Sequence, residues 1–233
     1  MTPTLPRRAV AEAVGTALLL AVVVGSGIMG ERLAGASVAM ALLCNTLATG
    51  GGLVALILAF GPVSGAHFNP AVTLADAWLG GLPWRDVPVY LAAQVVGALV
   101  GVALADLMFD LPAFSLSQKA RTGHWLSEFV ATFGLLAVIW GVVRSKSQAV
   151  PFAVGAYIMA GYWFTSSSSF ANPAVTFARA FTDTFAGIRL QDVPAYVGAQ
   201  LLGAAAATWL FRWLMPTLPA VARDVVVPHG DHL

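Results

Sequence analysis

The chain has 233 residues, of which 58% are hydrophobic and 10% charged, and its formal net charge is +1. A soluble domain carries about 25% charged residues, so an ordinary water-facing surface is excluded. The near-zero net charge gives no basis for a nucleic-acid partner. No Asp, Glu, Lys or Arg occurs between residues 33 and 66 or between 147 and 178, and roughly 20 apolar residues cross a bilayer as a helix. The chain reads as an all-α integral membrane protein.

In chain order, Arg7 and Arg8 precede an apolar stretch that runs to Gly30. Its start is signal-peptide-like, but Glu12 interrupts it and no clean cleavage site follows, so it reads as a retained first span. Six spans follow from hydropathy and its punctuation, at about residues 9–30, 34–60, 87–106, 125–143, 149–166 and 193–213. Cys44, the sole cysteine, permits no intramolecular disulfide or cysteine metal cluster and is expected as a small buried side chain.

Two apolar pieces, near 69–80 and 172–182, are too short to cross a bilayer, and both open with the same five letters, NPAVT, at 69–73 and 172–176. Pro suits the first position of a helix and Asn its N-cap. Each NPAVT therefore predicts a loop turning into a half-length helix. The segments around them repeat as well. Glu12 with Gly15 and Thr16 is answered by Glu128 with Ala131 and Thr132. Asp86-Val87-Pro88, Tyr90, Gln94 and Gly97 are answered by Asp192-Val193-Pro194, Tyr196, Gln200 and Gly203. Three spans per half is odd, so the second half, about 125–215, enters the membrane inverted relative to the first, about 9–107. Inverted repeats with broken helices that meet at the midplane are built this way.

Non-helical backbone inside a bilayer is tolerated only where protein buries it or water lines it. Two half-helices entering from opposite sides bring together two N-termini, each worth about half a positive charge, which repels cations and protons. Asn69 and Asn172 cap their helices with the side-chain oxygen and turn the amide NH₂ toward the lumen. Tyr90, Gln94, Tyr196 and Gln200 read as helix-packing residues, and Gly97 and Gly203 as close-contact positions. Acids inside apolar spans are costly, which marks Glu12 and Glu128 as functional or bracing residues.

The paired boxes Asn69-Pro70-Ala71 and Asn172-Pro173-Ala174, the Ser64-Gly65-Ala66-His67 stretch and the two glutamates resemble the aquaporin and aquaglyceroporin family over about residues 9–215. The resemblance implies six helices, two re-entrant half-helices and a pore in each protomer of a homotetramer; the residues themselves lead us to expect no cofactor or metal. It also implies that Glu12 and Glu128 brace the re-entrant loops. Orientation follows from the basic residues: with both termini inside the cell membrane, Arg7, Arg8, Arg85, Arg144, Lys146, Arg212 and Arg223 face the cytoplasm, and Arg32, Lys119, Arg121, Arg179 and Arg189 face out.

The family's selectivity filter maps, by counting from the two asparagines, onto Thr49, Ala160, Ser169 and Val175. Its water and glycerol channels place an arginine directly after the second NPA; here that residue is Val175. Valine offers a methyl surface where arginine offers fixed donors, charge and bulk. The expected filter is wide, weakly polar and uncharged, open to glycerol-like polyols and neutral hydroxy-metalloids as well as water. Among relatives, this loss of arginine resembles a bacterial aquaglyceroporin branch associated with arsenic resistance. That implies permeation by neutral arsenous acid and methylated arsenicals.

Three further positions bear on the pore. Phe170, beside Ser169, is placed to narrow it, and His67 lies in the first loop. Arg179, one turn beyond Val175, is expected foremost as a cation favoured near a helix C-terminus, with a second reading in which it lends positive potential to the outer mouth. Asp76, at the matching place in the first half, is expected to bond locally or pair with Arg85. A water-selective channel remains the alternative within the class. Outside it, the alternative is an inverted-repeat secondary transporter, which needs a coupling site at the midplane. Enzymatic activity is the least supported reading, because the histidines 67, 124, 229 and 232 are scattered and no nucleophile–base, phosphate-loop or metal spacing occurs. The 216–233 tail reads as short and polar, without an assigned role.

Overall fold

The computed structural model describes residues 3–217; the side chains of residues 144–147 and everything after 217 lie outside that description. The expectations placed on the side chains of Arg144 and Lys146, on Arg223, His229 and His232, and on the tail beyond 217 fall there. Among the described residues eight α-helices form: α1 (Leu5–Leu33), α2 (Val38–Ser64), α3 (Pro70–Leu79), α4 (Val87–Met108), α5 (Trp125–Lys146), α6 (Val150–Phe164), α7 (Pro173–Ala178) and α8 (Val193–Leu214).

Proline sets most of the starts. It occupies the first or second position of α1, α3, α4, α6, α7 and α8, where its missing N–H has no intrahelical partner to lose. Glycine sets two of the ends: Gly65 closes α2 at φ 89° and Gly80 closes α3 at φ 87°, a conformation open to residues without a Cβ.

Helices α1, α2, α4, α5 and α8 are long and apolar enough to cross a membrane. The span expected at 149–166 is α6, whose 15 residues reach only about 22 Å at 1.5 Å per residue. The 3₁₀ turn Ser147–Ala149 extends it toward α5. The two short NPAVT segments are the half-helices: α3, of 10 residues, and α7, of six, which a 3₁₀ turn at Arg179–Phe181 prolongs.

Helix α1 packs on α4 and α2, and α5 packs on α8, so each half closes on itself. The half-helices then cross over. Helices α3 and α7 each rest on both α4 and α8, and they meet each other. Glycine permits the closest crossings. A Cβ at Gly97 would come 2.2 Å from the Ala13 carbonyl oxygen, and one at Gly203 would come 2.4 Å from that of Phe129.

Cys44 departs from expectation. It is exposed on α2, alongside exposed Leu43 and Leu47. The rule that apolar residues are buried presumes water outside; facing acyl chains, a helix is apolar on its outer side too.

Candidate functional site

The loops leading into α3 and α7 adopt the same unusual backbone. Ala66 and Phe68, three and one residues before Asn69, have φ of 46° and 49°; Ser169 and Ala171, three and one before Asn172, have φ of 50° and 48°. For residues with a Cβ this left-handed conformation costs about 1–2 kcal/mol each, so something must hold it. The glutamates do. Glu12 Oε1 accepts from Ser64 Oγ (2.7 Å) and the His67 N–H (2.9 Å), and Oε2 accepts from the Phe68 N–H (2.7 Å) and Gln94 Nε2 (2.7 Å). Glu128 takes the Phe170 and Ala171 N–H groups at 2.9 Å each and Gln200 Nε2 at 2.6 Å. Both carboxyl groups are fully buried, and their acceptor capacity is spent on donors that would otherwise be orphaned.

The repeated phrase is explained down to its last letter. Asn69 Oδ1 accepts from the Ala71 N–H at 2.9 Å, and Asn172 Oδ1 from Ala174 and Val175 at 3.0 and 3.2 Å. Thr73 and Thr176 donate to the carbonyls of Asn69 and Asn172, and accept from Gln94 and Gln200 at 2.9 and 2.8 Å. Each threonine thus clips its half-helix to the long helix that also feeds the glutamate. The expectation that both asparagine amides face the lumen needs one addition: Asn69 Nδ2 donates to the Ala171 carbonyl and Asn172 Nδ2 to the Phe68 carbonyl, both at 2.7 Å. One N–H of each amide ties the two loops together, and the other remains for the cavity that both asparagines line.

That cavity, of about 80 Å³, runs between the helices, walled by apolar residues such as Leu19, Leu53, Ile139 and Val154 and striped by Thr49, His67, Asn69, Ser169, Asn172 and Arg179. A water needs roughly 10–15 Å³, so the space suits a file of molecules rather than a pool. Thr49, Ser169, Val175 and Phe170 lie on its wall.

Ala160 does not, and the count that placed it there is corrected. It is exposed on the outer side of α6, while Val150, Val154, Ile158 and Tyr162 face the cavity. At 3.6 residues per turn that four-residue series forms one stripe, and a residue two places from both Ile158 and Tyr162 falls on the opposite side. Tyr162 is the residue that sequence counting missed, although the series was there to be read. Its hydroxyl lies 3.1 Å from Thr49 Oγ1.

The end of the cavity beside Thr49, Tyr162 and Val175 is consequently neither small-sided nor uncharged. Arg179 lines it and also a second cavity with Lys119, Arg121 and Ser168. Arg179 is buried, and its Nε donates to the Ala186 carbonyl. It caps α7, as a helix-terminal cation should, but its guanidinium also lies 3.4 Å over the Phe170 ring. Arg121 sits 5.2 Å from the same ring, which Tyr196 meets edge-on at 5.5 Å. Phe170 is therefore pinned rather than free to swing into the pore. Burial pushes the Arg121 guanidinium below the ordinary arginine pKa.

At the other end, Asp76 reaches His67, with Oδ2 3.6 Å from Nε2, and not Arg85, which lies 3.7 Å from Asp86. The loop before α3 folds His67 back over the helix, so that its Nδ1 meets Thr73 Oγ1 at 3.1 Å. Tyr90, read as a packing residue, donates to the Ser64 carbonyl at 2.8 Å and so supports the same loop.

Two braced half-helices that meet at capped asparagines on a continuous cavity form the architecture the sequence resembles, and the family described as major intrinsic protein matches residues 1–169 and 144–230. The chain belongs to the major intrinsic protein family. It is 57% identical over 220 residues to aquaglyceroporin AqpS of Rhizobium meliloti (strain 1021), a match covering 93% of this chain and 94% of that one. It is 33% identical over 245 residues to probable aquaporin AqpM of Archaeoglobus fulgidus, covering 92% and 99%. The fold is similar to the X-ray structure of the aquaglyceroporin from Plasmodium falciparum, with a TM-score of 0.72 at 21% identity, covering 93% of this chain and 100% of that one. As a major intrinsic protein the chain is a multi-pass membrane channel, not an enzyme.

Proposed function

We propose that this major intrinsic protein is a wide aquaglyceroporin-type channel. It passes water, glycerol-like polyols and neutral hydroxy-metalloids such as arsenous acid or methylated arsenicals, and excludes protons and ions. The observation that carries the reading is Val175 on the cavity wall, directly after the second Asn-Pro-Ala, where an arginine would take up the space. The 57% identity to a protein named an aquaglyceroporin supports it. Ion exclusion rests on the opposed N-termini of α3 and α7, whose unpaired N–H dipoles disfavour a cation. The protomers assemble as a homotetramer in the cell inner membrane with both termini cytoplasmic.

Stopped-flow light scattering on proteoliposomes of the wild type and Val175→Arg tests the reading. The wild type passes glycerol and arsenous acid. Val175→Arg loses their flux by about tenfold or more, equivalent to about 1.4 kcal/mol of barrier, while water still passes. A second reading, a water-selective channel, has Tyr162, Phe170 and Arg179 on the cavity wall in its favour. A wild type that passes water alone would establish it instead.

A further inference from the structure

We infer that the end of the channel beside Thr49 and Val175 holds a hydroxyl-recognising subsite formed by Tyr162, Ser169 and Arg179, with Arg179 supplying from one helical turn further on the donors that Val175 lacks. The inference deepens the polyol-channel reading and rests on it. Three observations converge.

Ser169 Oγ is buried, lines the cavity and has no hydrogen-bond partner. Buried hydroxyls are nearly always satisfied, so one left open beside a channel marks a place that a passing molecule fills. Its position is set by α6: a Cβ at Gly161 would lie 2.7 Å from both Ser169 Cβ and Oγ. Ser169 therefore sits directly against the residue before Tyr162.

Tyr162 and Thr49 share one hydrogen bond across 3.1 Å. Two hydroxyls bring two O–H donors, and the shared bond consumes one. A donor and several lone pairs remain on a pair that faces the same cavity.

Arg179 is common to the channel cavity and the second one, so it stands at their junction. Three contacts fix it: Nε on the Ala186 carbonyl, the guanidinium face on Phe170, and its own carbonyl accepting from the Ile188 N–H at 3.3 Å. A cation that only complemented a helix end would be solvated, whereas this one is buried. Among the described residues its side-chain hydrogen bonding stops at Nε, and the terminal nitrogens carry four further N–H donors.

Together these groups offer donors and acceptors side by side. A neutral solute with several hydroxyls, each of which both donates and accepts, exchanges its hydration for them. A cation meets the guanidinium and gains nothing. The subsite therefore favours polyhydroxylated neutral molecules, which a merely wide, methyl-lined opening would not.

Tyr162→Phe and Ser169→Ala each remove one hydroxyl with little change of volume, and Arg179→Lys keeps the charge but not the fork. Glycerol and water permeabilities are measured for each variant and for the wild type in the same proteoliposomes. The expected result is a fall in the glycerol-to-water ratio of about threefold for each hydroxyl removed, the scale of one hydrogen bond, and a fall for Arg179→Lys as well. Arg179→Lys alone is open to misfolding, so the two hydroxyl variants carry the decision. If the wild type conducts glycerol and neither hydroxyl variant shifts the ratio, the subsite is overturned and the channel reading stands. If the wild type conducts no glycerol, both fall together.

Discussion

Glu12 shows how much one buried side chain can organise. Its two oxygens receive four donors, two of them backbone N–H groups of a loop held left-handed at Ala66 and Phe68. Glu12→Gln keeps the shape but replaces one acceptor oxygen by an NH₂, which turns donor against donor. Leaving buried donors unsatisfied costs about 1–3 kcal/mol, so the variant is expected to melt lower in detergent and to lose solute flux. An unchanged melting temperature would mean that Glu12 does not hold the loop. Residues of this kind were legible in the sequence because an acid in an apolar span has few reasons to be there. Ala160 was misplaced because counting back from Asn172 crosses a loop and ignores which face of α6 a position occupies. The His67–Asp76 contact was missed because His67 and Arg85 stand equally far from Asp76 along the chain, and the loop that carries His67 back over α3 leaves no mark in the sequence.

At the scale of elements, the repeated NPAVT predicted two half-helices, and α3 and α7 start where each phrase starts. What the repeat did not disclose is that each half-helix packs on the long helices of both halves, α3 and α7 alike lying on α4 and α8, since periodicity reports a buried face but not its partner. The glycines of the long helices were more informative. Gly97 was expected at a close contact, and a Cβ there would overlap the Ala13 backbone, which has no flexible side chain to move aside. Gly97→Ala must push α1 and α4 apart, at about 1–3 kcal/mol for an overpacked site. Gly198, also on a long helix, has nothing within 4 Å of its would-be Cβ. Gly198→Ala should therefore leave thermal stability unchanged or slightly raised, and Gly97→Ala should lower it. Equal melting temperatures for the two would show that the α1–α4 crossing has slack that the geometry denies.

For the whole molecule, the choice between a channel and an alternating-access transporter turns on whether the two halves can move past each other. A transporter of inverted repeats rocks one bundle against the other around its midplane site. Here the place where the two half-helices meet is tied across in both directions. Asn69 is bonded across to Ala171 and Asn172 across to Phe68, at 2.7 Å each, and both loops are braced from within their own halves by Glu12 and Glu128. Rocking would break both cross-ties in a buried setting, where an unmade hydrogen bond costs about 1–3 kcal/mol per group, and would leave left-handed backbone without its restraint. A fixed pore follows, and with it a kinetic signature. Solute flux into proteoliposomes should rise linearly with the imposed gradient, and collapsing proton or sodium gradients should not alter it. Saturation of the rate, or its loss on adding a protonophore, would mean that the cross-ties open during transport and that the halves alternate after all.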